Sequence, residues 1–302
     1  MLAGLGWLAR DGAATVLNVD IGELKSEALR RIAHARSSVV GSALNAQLVS
    51  RTERALDRLA SRLQRTLRVG IAGEFNTGKS SLCNRLIGLE GLPTAAIANT
   101  NSATRIYYSD DIELLVVGRD GSRRPWSGDD GIGDKGLLRI DVGFPAPRLR
   151  KVEFLDLPGL ADPRFPRSLD DILIHHVDAV LWCTASMQAW KESERSAWWD
   201  MPERLRDNSI LALTHRDLIQ QAADEAALIE RLRMELSSDF AAIVPVSTRA
   251  RATNGSAQPK DYDATGIAEL WTAITDLVST LELARIHRAA KISGAVLQRM
   301  LV

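Results

Sequence analysis

Both ends of the chain carry apolar residues at helical spacing, and the middle carries them in short continuous runs. From about residue 20 to 67, Leu44, Leu48, Ala55, Leu59 and Leu63 recur at intervals of four or seven, with Arg51, Arg54, Asp57, Arg58 and Arg62 filling the other face. Leu24, Ala28 and Ile32 give an earlier amphipathic stretch. Near the far end, Ile267, Leu270, Trp271, Ile274, Leu277, Val278 and Leu281 form a second stripe, which Ile292, Val296 and Met300 continue. Between them, runs at 68–72, 112–117, 137–144, 152–155, 179–184, 210–214 and 241–246 alternate with amphipathic segments, the pattern of an α/β domain with a mostly parallel sheet. The expected layout is three layers around that sheet at 68–250, a helical segment at 1–67 and another at 251–302. The two helical segments should pair as a short bundle, because each needs an apolar partner. Asp120-Gly121-Ser122 reads as a hairpin turn, and 127–134 and 253–259 as polar loops.

Composition changes this picture little. The 302 residues are 45% apolar and 25% charged, ordinary for a globular protein. Lys+Arg and Asp+Glu both total 38, so no bulk charge argues for nucleic acid or anionic lipid as a partner. Cys83 and Cys183 sit singly in apolar runs, too few for a disulfide framework or a zinc site, which points to a reducing cytoplasm. His34, His175, His176 and His287 lack metal-ligand spacing. No apolar run approaches the roughly 20 residues of a membrane span. Met1–Ala9 is mildly apolar without a basic flank; it reads as a segment packed on the protein or touching a membrane surface, not as a signal peptide.

The most informative stretch is Gly73-Glu74-Phe75-Asn76-Thr77-Gly78-Lys79-Ser80-Ser81, which fits G-x-x-x-x-G-K-[ST]. An apolar run precedes it and an amphipathic segment closed by Gly88 follows it, so strand, glycine loop and helix come in the order a P-loop needs. Successive loop N–H groups and the helix N-terminus make a concave anion site. Lys79 is placed to reach the β- and γ-phosphates of a bound nucleotide, and the Ser80 hydroxyl to ligate Mg²⁺.

Three later stretches complete a nucleotide site. Asp156-Leu157-Pro158-Gly159 follows a strand-like run; a carboxylate there suits Mg²⁺ and the Gly159 N–H suits a γ-phosphate. Thr214-His215-Arg216-Asp217 sits where guanine-specific NTPases carry [NT]-K-x-D, and the Asp217 carboxylate can accept from N1–H and the exocyclic amine of guanine. His215 replaces the usual Lys and could stack on the base; Asp217 reads alternatively as a helix N-cap. Ser247-Thr248-Arg249, after the last run, is similar to the S-A-K element that contacts the guanine carbonyl, with Thr248 and Arg249 departing from it. Between the first helix and the second predicted strand, Thr94, Thr100 and Thr104 compete on chemistry alone for the threonine that closes over Mg²⁺.

On these motifs the chain resembles the bacterial dynamin-like GTPases. Gly73 to Leu82 looks like their G-E-F-N-[ST]-G-K-S-S-L signature, Leu92-Pro93-Thr94 followed by Thr100 resembles their first switch, and Asp156–Gly159 their second. Phe144-Pro145-Ala146-Pro147 and Arg150-Lys151-Val152 resemble the stretch leading into the second switch. The resemblance covers about 68–250, a Ras-like P-loop domain, and the flanking helices are similar to the neck-like bundle beside it. It implies GTP/GDP and Mg²⁺ as ligands, Thr100 as the Mg²⁺ threonine beside Ser80 and Asp156, and catalytic roles for Lys79, Asn76, Thr100 and Gly159. It further implies stimulation by dimerisation through the G domain, or assembly with another dynamin-like protein, and contact with a membrane surface. A long stalk and lipid-binding tip have no counterpart in this sequence.

The residues expected to drive hydrolysis depart from that pattern. No glutamine follows Gly159, and the third loop position, polar in dynamin, is Phe75. Asparagine at Asn76 resembles K⁺-dependent GTPases of the Era-like and tRNA-modification classes, where it helps seat K⁺; equally it reads as a loop-stabilising amide. Arg164 and Arg167 could act across a dimer, or be merely solvated. Trp190 and Trp198 are eight apart, near one helical face, and read as packing onto the sheet or as a partner anchor, with Trp199 turned away. An Era-like regulatory switch and a non-catalytic nucleotide-binding subunit are the rival readings.

Overall fold

The computed structural model describes residues 20–42, 45–88, 103–127, 137–159, 176–219, 221–236, 239–249 and 265–300. By packing they divide into two compact units, residues 66–280 and residues 20–65 with 281–300.

The larger unit is built on a sheet of nine described strands. In chain order these are β1 (Leu67–Gly73), β2 (Ala103–Tyr108), β3 (Glu113–Gly118), β4 (Arg123–Pro125), β5 (Leu137–Phe144), β6 (Val152–Asp156), β7 (Ala179–Ala185), β8 (Ser209–Thr214) and β9 (Ala242–Pro245). Their spatial order is β4-β3-β5-β2-β6-β1-β7-β8-β9. From β6 to β9 every neighbour is parallel, and β2 runs parallel to β5; β2–β6, β3–β5 and β3–β4 are antiparallel. The near-continuous apolar runs of β1, β6, β7 and β8 are explained by this order, since central parallel strands are covered on both faces.

Two strands lie outside the set that hydrophobic runs predict. β2 alternates Ala103, Arg105 and Tyr107 with Thr104, Ile106 and Tyr108, so each of its faces mixes apolar and polar side chains and no continuous apolar run marks it. β4 is three exposed residues. The turn at Asp120–Ser122 therefore joins β3 to β4; Gly121 takes φ +85°, and Ser122 N–H donates to Asp120 Oδ1 at 2.9 Å.

Helices α3 (Lys79–Ile87), α4 (Glu192–Trp199), α5 (Glu203–Arg206) and α6 (Ala222–Glu235) belong to this unit, as does the first part of α7 (Ile267–Met300). The unit runs to Thr280, past the limit of 250 suggested by the motifs. Trp271 shows why: its indole N–H donates to the Leu86 carbonyl at 2.9 Å and its ring meets Phe154 edge to face at 5.7 Å.

The smaller unit is helical. The stretch predicted as helix over 20–67 is two helices, α1 (Ile21–Val40) and α2 (Ala46–Gln64), parted at Gly41 and Ser42. Asp20 caps α1 by accepting from Gly22 N–H at 2.8 Å, and Asn45 caps α2 by accepting from Gln47 N–H at 2.8 Å. Ala28, Ile32 and Ala35 of α1, Leu56 and Leu63 of α2, and Ile286 and Ala289 of α7 share one apolar cluster, and Lys25 pairs with Glu282 at 2.7 Å. The apolar stripe differs from the expected one. Leu48 and Ala55 are exposed and Leu56 is buried in their stead, while Ile292 is exposed and Ser293 buried. Leu44, Met1–Ala9, residues 253–259 and most of 127–134 lie outside the described residues.

Candidate functional site

β1 ends at Gly73 with φ +139°, where a Cβ would lie 2.2 Å from the Cys183 carbonyl oxygen, so only glycine fits between β1 and β7. The chain then loops through Glu74 to Gly78 into α3. Asn76 and Gly78 both take left-handed backbone, at φ +62° and +79°. Thr77 Oγ1 donates to the Glu74 carbonyl at 2.9 Å, and Lys79 Nζ donates to the same oxygen at 2.5 Å. Thr214, at the end of β8, donates to the carbonyls of Thr77 at 2.8 Å and Thr184 at 3.0 Å. Two neighbouring strand ends thereby hold the loop. Burial works against the charge on Glu74, but hydrogen bonds from Lys191 and Ser193 outweigh it and hold the carboxyl below the usual carboxylate range; Lys191 Nζ lies 2.7 Å away. Thr77 and Lys79 are buried, Ser80 half-buried, Ser81 exposed.

Asp156 closes β6 beside this loop. Burial pushes its carboxyl up to about 6, against a hydrogen bond from Ser80 and the nearby Lys79 charge. Its Oδ1 is buried without a hydrogen-bond partner. A hydroxyl and a carboxylate oxygen lacking a partner make a hard-oxygen donor set, which fits Mg²⁺. Gly159 passes so close to the P-loop that a Cβ there would sit 3.0 Å from Phe75 N and Cα. Phe75 and Asn76 are themselves exposed at the loop's tip.

The other side of the loop faces the ends of β8 and β9. His215 takes left-handed backbone at φ +58°, and its ring lies against Gly78, 3.4 Å from where a Cβ would be. Asp217 lies in the 3₁₀ turn Arg216–Leu218, and its Oδ1 accepts from Ser247 Oγ at 2.7 Å. Arg216 N–H donates to the Val246 carbonyl at 3.1 Å. The Ser247 hydroxyl also accepts from Arg249 N–H at 3.1 Å, while Thr248 is half-buried and Arg249 exposed. Asp217 does not cap α6, whose N-cap is Gln221.

Of the three candidate threonines, Thr104 lies within β2 opposite Asp156 in the antiparallel ladder, buried in a strand and so not on a loop that could close. Thr94, Thr100, Arg164, Arg167 and His175 lie outside the described residues. Trp190 and Trp198 are buried against Trp182 and Phe240, the Trp198 ring stacked on Phe240 at 4.3 Å. They do not share a helix: Trp190 precedes α4 with φ +62°. Trp199 is exposed under the Arg206 guanidinium at 4.6 Å. Hydrophobic periodicity gave no signal for the clamps Thr184 and Lys191, since they act through hydrogen bonds to residues far away along the chain.

Residues 68–215 match the family described as 50S ribosome-binding GTPase. The fold and the match together define a P-loop GTPase domain, and they support GTP as its ligand. That domain is related to those of bacterial dynamin-like proteins. Dynamin-like protein 2 of Campylobacter jejuni is 29% identical over 174 residues, covering 55% of this chain and 28% of that protein. Isoniazid-induced protein IniC of Mycobacterium tuberculosis is 29% identical over 150 residues, 44% of this chain and 30% of that one. The matched stretch thus spans under a third of each relative's length. Among solved structures, an oligomerised bacterial dynamin pair superposes with a TM-score of 0.64 at 16% identity, covering 95% of this chain and 57% of its own. LeoA, a bacterial dynamin GTPase from ETEC, gives 0.53 at 18% identity, covering 92% and 48%.

Proposed function

We propose that this chain binds and hydrolyses GTP as a dynamin-like protein. The observation that carries the guanine reading is the hydrogen bond between Ser247 and Asp217, next to the His215 ring on Gly78. It draws the loops after β8 and β9 together on one side of the P-loop. In that reading Asp217 accepts from the guanine edge, His215 and Thr214 line the base side, and Ser247, Thr248 and Arg249 meet the guanine carbonyl. The N–H groups of Glu74 through Ser81 cradle the phosphates and Lys79 neutralises them. Mg²⁺, when bound, neutralises phosphate charge; Ser80, Asp156 and Thr100 would hold it. The unpartnered Asp156 oxygen supports that role. Gly159 presents its N–H to the γ-phosphate.

The proposed hydrolysis is slow in the isolated chain. Phe75 cannot polarise water, and its exposure beside Asn76 leaves the tip of the loop open to a second molecule. Asn76 would hold K⁺ there, which would supply positive charge to the phosphates, and a second copy of the G domain, or another dynamin-like chain, completes the site. The relative whose structure is described as a pair for sensing and tethering membranes supports the pairing and a peripheral membrane location. Phe75 also supports a second reading, a nucleotide-binding subunit with no turnover of its own. Steady-state phosphate release, with GTP and ATP, in Na⁺ and K⁺ and across protein concentrations, tests the nucleotide, the turnover and the pairing. Rising specific activity with concentration and a preference for GTP are expected. ATP preference would overturn the role of Asp217, and absent multiple turnover would leave the subunit reading.

A further inference from the structure

The net charge of zero is the sum of two opposite regions. Residues 20–65 and 281–300 hold 13 Lys and Arg against 6 Asp and Glu, whereas residues 66–280 hold 24 against 31. Overall neutrality, from which no anionic partner was expected, conceals a basic helical unit.

Within that unit α2 carries an ordered array. Arg51, Arg54, Arg58 and Arg62 follow one another at three or four residues, and all four are exposed. At 3.6 residues per turn they form one stripe about 16 Å long, on the side of the helix away from the face that packs. That packing face is Leu56, Leu59 and Leu63. The acidic residues of α2 lie off the stripe, where Glu53 and Asp57 face Arg36 of α1 at 3.8 and 3.4 Å. Among the described residues no carboxylate pairs with the four arginines; Arg54 Nε donates to the Ser50 carbonyl at 3.1 Å.

Aliphatic side chains border the stripe. Leu48 is 48% exposed in the first turn of α2, and Ala55 is exposed further along. Leu48 and Ala55 are the residues that periodicity alone would have put in the core. Arginines beside exposed aliphatics are the make-up of a helix that lies on a lipid interface. Single-stranded nucleic acid is a poorer match, because its binders stack bases on aromatic rings and residues 20–65 and 281–300 contain no Phe, Tyr or Trp.

We propose that the Arg51–Arg62 stripe of α2 docks the helical unit on an anionic membrane surface. The proposal does not depend on GTP turnover. It is tested by co-sedimenting the full chain, without nucleotide, with vesicles of phosphatidylcholine alone or with about one-third phosphatidylglycerol. The chain should pellet with the anionic vesicles only. Binding should fade as salt is raised from about 0.1 M to about 1 M, where the screening length falls from about 10 Å to about 3 Å. A basic residue at such a surface contributes about fivefold in partitioning. Arg58→Gln should therefore lower it about fivefold, and R51Q/R54Q/R58Q/R62Q together at least about a hundredfold, with GTP affinity unchanged. The matching quadruple lysine variant should still bind, because a lipid surface reads charge and not guanidinium geometry. Equal binding to neutral vesicles, or a glutamine variant that pellets like the parent, would overturn the proposal. So would loss of binding in a lysine variant that retains GTP affinity, or tighter retention on single-stranded RNA than on anionic vesicles.

Discussion

In the GTPase unit Thr77 and Lys79 of the P-loop are buried and held by their neighbours, while on α2 of the helical unit a stripe of arginines stands in water. Lys79, Asp156 and Thr214 are all buried, and each is fixed within a network around the P-loop. Arg51, Arg54, Arg58 and Arg62 have no carboxylate partner among the described residues. The difference matches what each unit is proposed to bind. A single nucleotide needs donors preset at fixed positions, which requires burial and second contacts. A broad charged surface needs only a sign and a face, which a helix supplies by spacing alone.

The sharpest break between the units should come from Lys79→Ala. GTP hydrolysis should fall about a thousandfold if the buried Lys79 charge faces the transferring phosphoryl group as proposed. Vesicle binding without nucleotide should be untouched; a joint loss in a folded variant would dissolve the distinction. Leu56→Ala should act in the opposite direction. Leu56 is 1% exposed in the helical cluster, and its truncation should cost about 3 kcal/mol of that unit's stability. Chemical denaturation followed by helix content should show it, while nucleotide titration at low denaturant stays normal.

Next in size is the pH response of Asp156. Its carboxyl sits at about 6 in the folded chain, above the ordinary 3.8. The folded protein therefore holds a proton that the unfolded chain has released. This contributes stability at pH below about 4 that is lost as pH rises through about 6, at most about 3 kcal/mol. Mg²⁺ needs the ionised form, so stabilisation by Mg²⁺·GDP should weaken as pH falls below about 6. Thermal melts over that range, with and without Mg²⁺, check both signs, and Asp156→Asn should flatten both curves. An unchanged melting profile in that variant would remove Asp156 from the metal site.

Smaller effects probe the base and the loop tip. Asp217→Asn should weaken GTP binding about a hundredfold and favour xanthosine triphosphate, because the amide donates where the carboxylate accepted. Equal affinities for the two nucleotides in the parent chain would contradict the guanine assignment. Asn76→Ala should abolish any K⁺ stimulation, worth about tenfold in phosphate release at high protein concentration, and leave GTP affinity alone. Stimulation that survives would return Asn76 to a loop-stabilising role.

The two units were also unequally legible in the sequence. Strands buried on both faces announce themselves as continuous apolar runs, so β1, β5, β6, β7 and β8 fall within a residue or two of the segments expected. β2 and β4 do not, because one alternates with Arg105 and the other is wholly exposed. In the site, glycine and charge at fixed spacing marked Gly73–Ser81, Asp156–Gly159 and Thr214–Asp217. The hydrogen bonds that join them, Thr214 to Thr77 and Ser247 to Asp217, connect residues 137 and 30 apart and leave no local pattern. In α2 the period was right and the face was displaced: Leu48 and Ala55 satisfy the helical spacing, yet Leu56 is the residue that α1 and α7 cover.

By itself the sequence determined that this is a P-loop α/β protein with helical ends. The backbone conformation of those elements depends on residue types a few places apart, and local chemistry is enough to state it. Tertiary structure alone decided which face of α2 is covered, which leucines are left in water, and that Asp156 keeps an oxygen without a partner. These are properties of what lies opposite a side chain, and what lies opposite comes from residues far away along the chain.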